Sequence, residues 1–251
     1  MKPVTLPKGK LYLIPTTLGD LSTNDLEKQS NPMDVLPQTV KRAVTLLDCY
    51  IVENEKTARK FIKSIHPEKV QATLQLSSLN KHTENSEHNA MIQPCLEGID
   101  IGLMSEAGCP GIADPGAAIV KLAHEKGIQV VPLVGPSSIL LAMMGSGMNG
   151  QSFAFNGYLP IDKDAKKVAI KSFEKLSFDK NQSQIFIETP YRNNKFLEDL
   201  LQILQPNTHL CIAADITLPA EYIKTFKVQD WKKNKIDLHN RPTIYIIHKM
   251  Y

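Results

Sequence analysis

Two apolar runs, at 99–104 and 128–134, are separated by a loop punctuated with glycine and proline and by one helix's length of chain. Short continuous apolar runs bounded by turn residues are the pattern of fully buried strands, and strand, loop, helix, strand is the unit of a parallel sheet. Each run passes at once into small residues. Ser105, Glu106, Ala107, Gly108, Cys109, Pro110 and Gly111 follow the first, and Gly135, Pro136, Ser137 and Ser138 follow the second. Loops at the carboxyl ends of neighbouring parallel strands form the usual ligand crevice of an open α/β sheet.

The same pattern extends to both sides of this unit. The run 10–14 predicts a first strand stopped by Pro15, and Pro37 opens a helix through Leu47 with Val40, Ala43, Val44 and Leu47 on one face. A strand is predicted at 49–52, a helix at 54–65 closed by Pro67, and a third strand at 70–76. The polar stretch 77–89 reads as a loop, followed by a helix over 86–97 that is bent or restarted near Pro94. After Pro136 a helix carries Ile139, Leu140, Met143 and Met144, the methionines read as core filler. At 151–159 the register changes to alternating aromatic and polar residues, the mark of a half-solvated strand in a mixed or antiparallel sheet. Helices at 164–176 and 193–204 and strands at 184–188, 209–214, 221–228 and 242–248 complete the expectation. The chain therefore reads as α/β in two domains, 1–135 with a mainly parallel sheet and 136–251 with a mixed one.

Composition changes this picture little. With 42% hydrophobic and 22% charged residues over 251 positions, the chain can bury a substantial core. Twenty-nine basic against 26 acidic side chains neither demand nor exclude a nucleic-acid partner. The imbalance is local: residues 222–251 hold Lys224, Lys227, Lys232, Lys233, Lys235, Arg241 and Lys249 against Asp230 and Asp237, which reads as a solvated lysine-rich hairpin ahead of a phosphate-contacting patch. Four scattered cysteines, at 49, 95, 109 and 211, argue for a reducing compartment and against a disulfide framework or zinc site. No signal-peptide pattern opens the chain and no apolar run approaches a membrane span, so a cytoplasmic location is expected.

Candidate chemistry sits at strand ends. Glu53 and Lys56 follow the second strand, Glu106 and Asp114 flank the central loop, and Glu188 and Arg192 follow a strand of the second domain. Such pairs can remove a proton from a nucleophile or hold a phosphate. The chain contains no G-x-x-x-x-G-K-[ST], G-x-S-x-G or H-E-x-x-H, which lowers the standing of nucleoside triphosphates, serine hydrolysis and metal hydrolysis. His82 and His88 fit no zinc spacing, and no metal is expected.

The stretches LYLIPTTLGDL at 11–21, IGLMSEAGCPGIADPGAAIV at 101–120, VVPLVGPSSILLAM at 130–143, SFAFNGYLP at 152–160 and IFIETPYR at 185–192 resemble, in order and spacing, the class III S-adenosylmethionine-dependent methyltransferases of the tetrapyrrole methylase family. The nearest branch is the small-subunit ribosomal RNA ribose 2′-O-methyltransferase I group. The resemblance implies two α/β domains with the cofactor S-adenosylmethionine in the cleft between them, in a homodimer acting on RNA or the small ribosomal subunit. By position it implies donor contacts at Leu18, Cys109, Ile112, Ser137, Ser138, Ile187, Ala213, Ala214, Pro242 and Thr243. If the acceptor is a ribose hydroxyl, a base must take its proton, and Glu53 or Glu106 is expected in that role, with Lys56 and Arg192 holding phosphate. The loops after the second and third strands depart from the branch: IVENEKTA keeps Glu53 and puts Lys56 at an arginine position, and NKHTE keeps His82 alone. A small-molecule methylase, as for a tetrapyrrole, and a non-catalytic donor-binding homologue remain the alternatives. Gly108-Cys109-Pro110, where tetrapyrrole members usually show Gly-Asp-Pro, favours RNA.

Overall fold

Strand β1 (Lys10–Leu13) lies inside a five-stranded parallel sheet, and its neighbours come from far along the chain. The computed structural model describes residues 7–19, 31–80, 83–84 and 86–249. They divide into two units, Met1–Pro136 and Ser137–Tyr251. In the first, β1 is followed by α1 (Gln38–Leu46), β2 (Cys49–Val52), α2 (Glu55–Ile65), β3 (Gln75–Ser78), α3 (His88–Leu96), β4 (Ile101–Met104), α4 (Ala117–Glu125) and β5 (Gln129–Pro132). The strand order is β3-β2-β4-β1-β5, all parallel.

That order explains the continuous apolar strands. From β1 the chain steps outward to β2 and β3, then returns through β4 to β5, and right-handed crossovers put the two sets of helices on opposite faces. Val40 and Val44 of α1 and Ala58 and Ile62 of α2 pack on Tyr50, Val52 and Met104. Met91, Ile92 and Cys95 of α3 and Ile119 and Ala123 of α4 pack on Cys49, Ile51, Ile101 and Leu103 from the other side. Alternate residues of β2 and β4 thus feed different cores, so every position in them must be apolar.

The third strand departs from its expectation. Residues 71–73 form a 3-10 turn, Val70 is exposed, and pairing with β2 begins only at Gln75. Arg59 Nη1 donates to Gln71 O at 2.6 Å and holds the turn away from the sheet. Ser77 and Ser78, expected in the loop, complete β3, whose edge position leaves them exposed. Pro94 lies inside α3 and His88 is its first residue; His82 lies outside the described residues.

The second unit runs α5 (Ser138–Ser146), β6 (Phe153–Tyr158), α6 (Lys163–Lys180), β7 (Ser183–Ile187), α7 (Asn193–Ile203), β8 (His209–Ala214), β9 (Tyr222–Lys227), α8 (Val228–Trp231) and β10 (Thr243–His248). Its sheet is mixed, in the order β6-β7-β10-β8-β9, with only the β6–β7 pair parallel. Phe196 and Leu200 of α7, Ile170 of α6 and Trp231 of α8 bury one face against Leu210, Ile212 and Tyr245. Tyr245 donates its hydroxyl to Asn193 O at 3.1 Å and tethers β10 to the start of α7. On the other face Gly145 of α5 meets Ile223, which a Cβ would approach to 3.1 Å.

Two expectations fail here. The described residues of 222–251 form no hairpin, because β8 lies between β9 and β10 and pairs with both. Met143 is core, but Met144 is 78% exposed, since the two are adjacent on α5 and point about 100° apart.

Candidate active site

All five strands of the first unit are parallel, so the loops after β1, β2, β4 and β5 emerge at the same end. The direction of winding reverses around β4, and that is where an open α/β sheet leaves a crevice. The loop after β4 fills the gap between the loops after β1 and β5. Thr16 N donates to Gly108 O at 2.9 Å, and the Cys109 thiol lies 3.4 Å from Pro136 O. Gly108 has φ +72°, and a Cβ there would come within 3.1 Å of Leu18 Cδ2 and 3.4 Å of Pro136 O. On the facing loops a Cβ on Gly135 would lie 2.2 Å from the Pro15 ring, so this closure requires glycine as well. Leu18, Cys109 and Ile112 consequently belong to one small-residue wall. Cys109 is half-buried, with burial pushing its thiol up, and Ile112 stays 54% exposed.

Beside this wall the fold gathers acids. Glu53 follows β2, and its Oε2 accepts the Glu106 backbone N–H at 3.2 Å. Glu106 Oε1 in turn accepts the Thr57 hydroxyl at 3.3 Å. Asp114, in the same loop, is pushed up to about 6, chiefly by burial and next by the nearby Glu53 charge, with Glu106 adding and a Ser105 hydrogen bond opposing. Lys56 is exposed in the first turn of α2, where Asn54 caps the helix by accepting its backbone N–H at 2.9 Å. Among the described residues no lysine or arginine forms an ion pair with Glu53, Glu106 or Asp114. Asp114, to which the sequence assigned no role in the reaction, is thus an acid whose affinity for a proton is raised by this loop. Its signal was its position in the loop that also carries Glu106.

In the second unit five of the remaining predicted residues also come together. Thr243 pairs with Ala214, and Ile244 with both Ala213 and Ile187, so Ile187, Ala213, Ala214, Pro242 and Thr243 lie at one end of three adjoining strands. Ala213 and Ala214 are fully buried, which leaves their backbone as the part able to meet a ligand. Ser137 is the N-cap of α5, its hydroxyl accepting Leu140 N–H at 3.4 Å, and Ser138 is the first helical residue. Arg192 directs Nε and Nη2 to the same Glu188 oxygen, at 3.0 and 2.6 Å, and stacks over Tyr191 with 5.5 Å to the ring centre. The hydrogen bond it donates to Glu188 raises the Arg192 pKa further. A neighbouring pair, Arg241 on Asp215 at 2.6 Å, is committed to loop closure, since Arg241 Nη2 also donates to Ala220 O. Among the described residues no group of three or more His, Cys, Asp and Glu could hold a metal ion.

The chain is similar to known proteins in sequence and in fold. The family model for tetrapyrrole (corrin/porphyrin) methylases matches residues 36–231. The ribosomal RNA small subunit methyltransferase I of Vibrio cholerae is 30% identical over 88% of this chain and 70% of its own length. The fold is shared with the crystal structure of the methyltransferase CobJ, at a TM-score of 0.62 and 16% identity over 96% of this chain and 94% of that one. It is also shared with the uroporphyrin-III C-methyltransferase of Thermus thermophilus solved with S-adenosyl homocysteine, at a TM-score of 0.54 and 14% identity over 96% and 98% of the two chains.

Proposed function

The chain belongs to the tetrapyrrole (corrin/porphyrin) methylase family, and on that premise we propose that it transfers the methyl group of S-adenosylmethionine to a ribose 2′-hydroxyl of small-subunit ribosomal RNA. The observation that carries the reading is the glycine-built wall at 105–116 beside unpaired carboxylates. Backbone amides and apolar side chains can receive an adenosine and a thioether chain without steric interference at Gly108 and Gly111, both in the left-handed region. Asp114, in the wall's own loop, supplies negative charge that favours a sulfonium cation. The residues present therefore fit the donor, and the donor when bound supplies an electrophilic methyl group. Leu18, Cys109 and Ile112 are the candidate donor contacts of the first unit, and Ser137, Ser138, Ile187, Ala213, Ala214, Pro242 and Thr243 are those of the second, each set taken by itself. The relatives named for the small ribosomal subunit support RNA as acceptor.

The chain's own contribution to the reaction is positioning and proton removal. Glu53 or Glu106 accepts the ribose hydroxyl proton. Lys56, without an ion-pair partner among the described residues, and the Nη1 edge of Arg192 left over from Glu188 hold phosphates. The protein acts as a homodimer in the cytoplasm.

Labelled donor offered with small ribosomal subunits, free ribosomal RNA and a metabolite extract tests the assignment. Label in ribosomal RNA supports it, and label confined to small molecules overturns it. Within that assay Glu53→Gln and Glu106→Gln should each lower turnover. Unaltered turnover in both removes them as bases.

A further inference from the structure

The lysines of residues 224–235 form no hairpin, and they are not neutralised by the fold. Lys224, Lys227, Lys232, Lys233 and Lys235 are all exposed, and none makes an ion pair among the described residues. Other lysines of the same unit are paired: Lys166 with Asp199 at 3.0 Å, and Lys195 with Glu198 and Asp199 at 3.1 and 3.3 Å. The acids nearest in sequence are committed elsewhere. Asp237 accepts Asn194 Nδ2 at 2.7 Å and His239 N at 3.0 Å, Glu221 accepts Thr217 N at 2.8 Å, and Asp215 holds Arg241. Asp230 is the sole acid within 224–235.

The segment that carries these lysines is anchored in the core. Trp231 is 2% exposed, donates Nε1 to Leu210 O at 2.8 Å, and meets Phe226 edge to face at 5.0 Å. Val228 and Leu238 are buried on either side. Charges mounted on a fixed surface lose less entropy on engaging a partner than charges on a mobile tail. Lysines on an edge strand also discourage edge-to-edge aggregation, which accounts for Lys224 and Lys227 on β9. It does not account for Lys232, Lys233 and Lys235, which follow the strand.

Resting on the reading of this chain as an RNA methyltransferase, we propose that Lys232, Lys233 and Lys235, on the segment that follows α8, are a phosphate-backbone contact for the RNA substrate. Compact ammonium groups neutralise phosphates without reading bases, so the surface contributes sequence-independent, salt-dependent affinity. It raises the occupancy of large RNA and leaves the chemical step alone.

The test compares Lys232→Gln/Lys233→Gln/Lys235→Gln with a charge-matched control on α6, Lys163→Gln/Lys167→Gln/Lys171→Gln. Binding of fluorescent small-subunit RNA is followed against salt concentration, beside melting temperature and steady-state transfer. The first triple should reduce the slope of log affinity against log salt by about 2, given roughly 0.7–0.9 per phosphate contact. It should raise KM for RNA with kcat and melting temperature unchanged, and the control should do neither. A slope equal to the control's overturns the surface even where the wild type methylates RNA. A wild type that binds RNA through these lysines but transfers no methyl to it upholds the surface and overturns the functional reading. Lysine-dependent binding to vesicles of phosphatidylserine and phosphatidylcholine, with RNA binding unaffected, overturns the surface in favour of a membrane.

Discussion

At the scale of single residues, Gly108 and Asp114 set opposite kinds of constraint on one loop. Gly108→Val forces a β-branched residue into φ +72° with its Cβ 3.1 Å from Leu18. It should cost on the order of 1–3 kcal/mol and weaken donor binding, read as a fall in melting temperature and a raised dissociation constant in calorimetry. Asp114 is instead a matter of charge. Because its folded pKa, about 6, exceeds its ordinary value of 3.8, its contribution to stability is complete below the unfolded value and is lost as pH rises through about 6. Asp114→Asn should therefore raise the melting temperature at pH 7.5 relative to wild type and leave it nearly unchanged at pH 3.5. The upper limit of about 3 kcal/mol from two pKa units must be cut substantially for a side chain only half-buried. An Asn variant no more stable at pH 7.5 would refute the electrostatic burden. Sequence placed Glu53 and Glu106 ahead of Asp114 because all three follow strand ends and nothing in a linear pattern weighs burial. The fold separates them: Glu53 and Glu106 each accept a hydrogen bond that pins the loop, whereas Asp114 sits in their field.

Elements show where pattern reading succeeds and where it runs out. β8, at 209–214, has the bounds its apolar run predicts, and β2 likewise, because both faces of each strand are buried and leave no ambiguity. β3 is an edge strand with one half-buried residue, so its polar Ser77 and Ser78 looked like loop and its apolar Val70 looked like strand. The pairing of β8 between β9 and β10 joins residues that sequence order separates, and local periodicity carries no information about it. The same pairing brings His209 opposite His248, whose Nδ1 lies 3.2 Å from the Ser183 hydroxyl. Burial pulls both imidazoles below their ordinary 6.5, with Lys227 adding to the effect on His209 and His209 to that on His248. A depressed folded histidine pKa means that the unfolded chain takes up protons first. Stability of the second unit should fall as pH drops below about 6.5. The double variant His209→Gln/His248→Gln should flatten that slope between pH 7 and 5 in denaturant titrations; an unchanged slope would assign the acid sensitivity to other groups.

On the scale of the whole molecule, the question is whether donor binding and turnover reside in separable residues. The proposed donor wall consists of loop backbone and small or apolar side chains, and the proposed bases are carboxylates anchored on neighbouring loops. Removing a carboxylate's charge should therefore leave the wall standing. A ligand that binds only the folded chain stabilises it by about 2.7 kcal/mol at one hundred times its dissociation constant. In a chain of 251 residues that corresponds to a rise in melting temperature of roughly 5–10 °C. Wild type and Glu53→Gln should show the same rise with saturating S-adenosylmethionine, while only the wild type labels small-subunit RNA at full rate. Gly108→Val should lose most of the rise, because its added side chain enters the wall itself. This pairing distinguishes the enzyme from a donor-binding scaffold. A scaffold gives the thermal shift without transfer in the wild type, and a protein that does not bind the donor gives neither. Loss of the shift in Glu53→Gln would mean instead that the carboxylate's charge holds the sulfonium, which would transfer the role of base to Glu106 or Asp114.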